Sequence, residues 1–179
     1  MRRLAILALF SAGPALAQDA AERVTFDAFS VWEAMGTTQQ VSPATTMFAG
    51  EMSGAYFIDA GEGPIPAGVI SCVGALEADV ANGAQAGAAR CRLVAADCAV
   101  AFARFTCEGW RLIGCVGPFV LEGGEGRLSG VSGEGPIVIR RSETELAATA
   151  SGAVAEHALG VASWKAFAIS GGAAEEQTR

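Results

Sequence analysis

The chain has 179 residues, 12 of them basic and 19 acidic, for a net charge of −7. A chain of that sign repels nucleic acid, and its single lysine, Lys165, and scattered arginines form no basic tract that would draw it to anionic lipid. A mean hydropathy of +0.37 excludes a disordered chain, and 23 glycines beside few aromatics point to a core of small and aliphatic side chains.

The N-terminus reads as an export signal. Arg2 and Arg3 precede an apolar run, Leu4 to Phe10, which Ser11-Ala12-Gly13-Pro14 breaks; Ala15-Leu16-Ala17 then offers a small-x-small cleavage site before Gln18. The expected organisation is a leader at 1–17 and one domain at 18–179, periplasmic or secreted. Losing Arg2 and Arg3 leaves 10 basic against 19 acidic residues, a charge of −9. No later segment reaches about 18 uninterrupted apolar residues, so no membrane-spanning helix is expected.

From Arg23 onward the pattern is that of strands. Arg23 to Glu33 and Met52 to Ile58 are rich in β-formers, and Val41 to Phe48 between them suggests one short helical turn. From Ala67 to Leu76, Ile70, Cys72, Gly74 and Leu76 share a face opposite Val69, Ser71 and Val73. Asn82-Gly83 is a hairpin signal, and from Ala89 to Ala95 Cys91 and Leu93 face away from Arg90 and Arg92. Ala99 to Thr106 sets Val100 and Phe102 against Ala101, Ala103 and Phe105; Arg111 to Leu121 follows a turn expected at Glu108-Gly109-Trp110. Gly135 to Arg141, Thr144 to Ala150 and His157 to Ile169 complete the set. Short strands at about ten-residue intervals predict an all-β fold, a single antiparallel barrel of about eight strands.

Residues 123 to 135, GGEGRLSGVSGEG, hold six glycines and invite a phosphate-loop reading. The Walker A pattern fails for want of a lysine, the dinucleotide fingerprint fails because Gly130 comes one residue late, and the nucleophile elbow fails at Glu134. Glu122, Glu125 and Glu134 would also repel a phosphate. The expected role is to turn the chain at a barrel corner, where glycine admits positive φ.

Cys72, Cys91, Cys98, Cys107 and Cys115 occupy one 44-residue block without a Cys-x-x-Cys unit, and the chain has one histidine, so disulfides are expected rather than zinc. About fifteen arrangements of two bridges and one free thiol exist. Adjacency of hairpin strands selects Cys72–Cys91 and Cys107–Cys115, with Cys98 left as a buried, inert thiol. Any acid–base scheme would have to run through His157, whose neighbour Glu156 points to the opposite face of a strand. No catalytic residue, cofactor site or metal site is expected. Trp32, Trp110 and Trp164 are candidates for the core or a barrel mouth.

One resemblance rests on Ser71-Cys72-Val73-Gly74, Cys91-Arg92, Phe105-Thr106-Cys107-Glu108-Gly109, Gly114-Cys115-Val116-Gly117 and the glycine corner. Over about residues 50 to 141 the chain resembles exported bacterial proteins of unknown function that are related in fold to the eight-stranded barrels of allene oxide cyclases and dirigent proteins. Members carry an acidic hairpin where this chain reads Ala95-Ala96-Asp97-Cys98-Ala99; one acid is too few for a hard-metal loop, and none of the cyclase's catalytic residues has a matching position here.

Two functions are therefore expected to compete. The first is an exported non-catalytic barrel that binds a small apolar molecule; the second is a cyclase or isomerase of the allene-oxide-cyclase kind, in which a cavity folds a lipid-like substrate. If the Ala101, Ala103 and Phe105 face points inward, these residues line a modest apolar cavity; if it points outward, Val100 and Phe102 fill the core. Nothing in the sequence specifies an oligomeric state.

Overall fold

The structure is a computed structural model that describes residues 23–59 and 61–171. The expected leader, 1–17, lies outside the described residues. Eight strands follow in chain order: β1 (Val24–Ser42), β2 (Thr45–Asp59), β3 (Pro64–Asp79), β4 (Ala84–Ala95), β5 (Val100–Trp110), β6 (Gly114–Glu125), β7 (Ser132–Ala148) and β8 (Val154–Ser170). Each pairs antiparallel with its sequence neighbour, and β8 returns to β1, closing the barrel. Closure removes the free edges that an open sheet would expose.

Alternation decides what lies inside. On β5, Ala101, Ala103 and Phe105 are buried while Phe102 and Arg104 face out. The outward residues of β4, β5 and β6 include Arg90 and Arg104, directly opposite one another, and Glu122 accepts hydrogen bonds from both at 2.5 and 2.7 Å. A carboxylate between two arginines relieves their repulsion, although exposed pairs contribute little to stability.

Three local expectations are corrected. Val41 to Phe48 is not a helical turn: Pro43 and Ala44 form a tight reversal between β1 and β2, with the Ala44 amide donating to Ser42 Oγ. The polar stretch before it stays extended because β2 pairs with it on both sides of a register shift at Val41, so the ladder overrides its weak strand propensity. Gly135 to Arg141 and Thr144 to Ala148 are one strand, β7, which continues through a register shift between Arg141 and Glu143, while Thr149 and Ala150 lie beyond its end. The turn between the last two cysteines falls at residues 111–113, where Leu112 adopts φ 66° and the Ile113 amide donates to Trp110 O; Glu108-Gly109-Trp110 belongs to β5.

Both disulfides lie inside the barrel. Cys72 and Cys91 are direct cross-strand partners with Cα atoms 4.0 Å apart. Cys107 joins Cys115, which stands opposite Gly109, so this bridge crosses its hairpin diagonally with Cα atoms 5.4 Å apart. Cys98 is free but exposed rather than buried, because it sits at the tip of the β4–β5 turn with φ 68°. Two intramolecular disulfides suit an oxidising, extracytoplasmic environment. Among the described residues no helix is long and apolar enough to cross a membrane.

Candidate functional site: a barrel plugged at one end and hollow at the other

The two ends of the barrel differ. At the end carrying the β1–β2, β5–β6 and β7–β8 turns, a buried ionic cluster closes the interior. Glu156 on β8 is 2% exposed and accepts hydrogen bonds from Arg111 at 2.5 Å, from Thr38 at 2.8 Å and from Arg141. Burial pushes the Glu156 carboxyl up, but hydrogen bonds from Arg141 and Thr38 and the charges of Arg111 and Arg141 outweigh it and hold the group below the usual carboxylate range. Beneath the cluster lies a pocket of about 80 Å³, walled by Trp32, Phe48, Phe105, Gln85 and Arg141 among others. That space suits a few water molecules.

At the opposite end, which carries the β2–β3, β4–β5 and β6–β7 turns, the barrel opens into a cavity of about 520 Å³. Its floor is aromatic: Phe119 packs edge-on against Trp164 and Phe167, with ring centroids 5.3 and 5.8 Å apart. Phe105 stacks behind Phe119 at 6.3 Å and separates this cavity from the small pocket. An eight-stranded barrel is just wide enough either to fill itself with side chains or to hold one small ligand. Here side chains pack the middle, around Phe105 and Phe119, and an open space is left at the mouth.

The rim supplies the polar groups. Asp97 and Arg127, from the two turns that overhang the mouth, pair at 2.6 Å, and the Ala99 amide donates to Asp97 at 3.2 Å. The Arg127 hydrogen bond, then the Ala99 amide, holds the Asp97 carboxyl below its ordinary value. Tyr56, half-buried in the cavity wall, has its hydroxyl pushed up by burial and lies within the fields of both rim charges. The glycine corner explains how Arg127 arrives. Gly126 at φ 65° and Gly130 at φ 74° bound a single 3-10 turn that folds Arg127 and Leu128 over the opening. The stretch turns a chain, and by turning it furnishes the cavity.

The sequence-singled residues scatter. Ala101 lies on the wall of the mouth cavity, Phe105 on that of the small pocket, and Ala103 is buried between the two. Trp164 floors the mouth cavity and Trp32 the small pocket, whereas Trp110 is 53% exposed at the end of β5. His157 points out of the barrel, where Nε2 lies 2.8 Å from Glu33 and Nδ1 3.7 Å from Glu145. Neither cavity includes it. Among the described residues no group of three or more His, Cys, Asp or Glu side chains could hold a metal ion.

Sequence reading missed the Glu156 cluster and the Asp97–Arg127 pair. For the first a signal existed: Glu156 falls in phase with the inward Ala158, Ala162 and Trp164, and Arg141 in phase with the inward Ile137 and Ile139. A charge on the apolar phase of a strand needs a partner inside. For the second no local signal existed, since Asp97 and Arg127 stand on different turns.

Fold and site together define a closed, disulfide-bridged β-barrel with one apolar, rim-charged mouth. No family model and no curated protein matches the chain. Among solved structures it is similar to the pterocarpan synthase dirigent protein GePTS1, with a TM-score of 0.28 and 10% identity over 87% of this chain and 100% of that one.

Proposed function

We propose that this protein is an exported, non-catalytic barrel that binds a small apolar molecule in its mouth cavity. The observation that carries the reading is the cavity itself: about 520 Å³, within the range of small-molecule sites, mostly apolar in its lining, and present while the other end of the same barrel is plugged. Export is supported by the leader pattern at 1–17 and by the two disulfides, and places the protein in the periplasm or outside the cell. The Cys-x-Gly units and the glycine corner support kinship with exported bacterial proteins of unknown function whose fold is related to the barrels of allene oxide cyclases and dirigent proteins. A cyclase activity has less support. The ionisable groups of the cavity are Tyr56, Asp97 and Arg127; Asp97 is engaged by Arg127 and is a weakened base, and His157 stands outside.

The test is binding of the apolar fluorophore N-phenyl-1-naphthylamine to wild type and to Ala101→Phe, which projects an aromatic ring from the cavity wall. Wild type should bind the probe, and the variant should lose at least tenfold in affinity. Wild type that binds no probe, or a folded variant that binds it equally well, removes the reading.

A further inference from the structure

The mouth is not equally hospitable to every apolar molecule. Its walls are aromatic and aliphatic to full depth, so polarity in a ligand has to sit at the rim, where Tyr56, Asp97 and Arg127 are the groups that can meet it. Arg127 and Asp97 neutralise one another through a 2.6 Å hydrogen bond. An anionic head brought to Arg127 would lie against the Asp97 carboxylate, and a cationic head brought to Asp97 would lie against the guanidinium. Either must displace an existing partner to gain one. A hydroxyl or carbonyl head escapes this conflict, because it can accept from Tyr56 and, if a hydroxyl, donate to Asp97 while leaving the Asp97–Arg127 pair intact.

Resting on the binding reading above, we infer that the site selects an uncharged amphiphile: an apolar chain or ring system in the aromatic cavity, with a hydroxyl, ester or amide head at the Tyr56–Asp97–Arg127 rim. Charge balance at the rim, rather than its shape, is the selecting device. The chain's overall negative charge works in the same direction against carboxylates.

The experiment compares dodecanol, dodecanoate and dodecylamine as displacers of N-phenyl-1-naphthylamine from the full exported chain at pH 7.5 and low salt. Because alcohols also partition from water more readily than ions, the deciding quantity is how each affinity moves on substitution. Asp97→Asn should strengthen dodecanoate about fivefold and leave dodecanol within twofold, since an exposed ion pair is worth up to about 1 kcal/mol. Arg127→Gln should strengthen dodecylamine by a similar factor and weaken dodecanoate further. Tyr56→Phe should weaken dodecanol alone. Asp97 and Arg127 are partly exposed, so both variants should fold, and near-ultraviolet circular dichroism checks it. The inference is overturned if wild type holds dodecanoate as tightly as dodecanol, or if Asp97→Asn leaves dodecanoate unmoved. Probe binding that survives in either case keeps the binding reading alive; absence of probe binding in wild type removes both.

Discussion

Replacing Glu156 with glutamine should destabilise this barrel more than almost any other single isosteric change. The carboxylate is 2% exposed, and the side chains it holds are themselves sequestered: Arg141 is 8% exposed and Arg111 19%. The amide keeps the size and one acceptor but removes the charge, leaving two guanidinium groups without that counter-charge at the plugged end of the barrel. Breaking a buried pair from one side costs about 3–5 kcal/mol. Against a typical domain stability of about 5–15 kcal/mol that is about a fifth at the least, and at about 2–4 °C per kcal/mol it lowers Tm by roughly 10 °C. The assay is urea unfolding at pH 7 followed by tryptophan fluorescence, with disulfides intact. A triple variant, Glu156→Leu with Arg111→Met and Arg141→Met, should recover most of the loss, because it removes the uncompensated charges instead of stranding them. The pH dependence has a definite sign. The folded-state pKa of Glu156 is depressed, so its contribution is fully present above the unfolded-chain value of about 4.3 and is lost as pH falls through the lower folded value. Wild type should therefore weaken in acid more steeply than Glu156→Gln. A loss below about 1 kcal/mol at pH 7, or equal acid slopes in the two proteins, would refute the claim that the cluster holds the plugged end together.

The thiol pattern gives a direct chemical check: in unreduced, native protein Cys98 should be alkylated by iodoacetamide while Cys72, Cys91, Cys107 and Cys115 are protected, and a peptide map with Cys98 in an intramolecular bridge would contradict the structure. Gly160→Ala would set a methyl 2.5 Å from the Trp32 ring and against the Arg140 carbonyl, so a loss of about 2–3 kcal/mol in chemical denaturation is expected. His157→Ala removes an exposed contact with Glu33 and should change stability by no more than about 0.5 kcal/mol and probe binding not at all; a loss of probe binding would mean that the outer face takes part in the site.

Much of this barrel was legible residue by residue. Period-two alternation assigned Ile70, Cys72, Cys91, Ala101 and Ala103 to one side of their strands, and it is the inner side. Hairpin adjacency alone paired the cysteines, because antiparallel neighbours bring cross-strand Cβ atoms, directly opposite at Cys72–Cys91 and diagonal at Cys107–Cys115, within bridging distance whatever the rest of the fold does. The glycine corner could be read as a turn by elimination. These features are local: strand period, turn chemistry and neighbouring strands are all written within some twenty residues. What sequence could not supply is whatever depends on closing the ring. Thr38 donates to Glu156 across 118 residues, and Asp97 meets Arg127 across 30, because β1 joins β8 and three turns converge on one mouth. The exposure of Cys98, the plug at one end and the cavity at the other are likewise properties of a closed surface. Which inward side chains share a layer is set by the stagger of eight strands together, and no single strand carries that information.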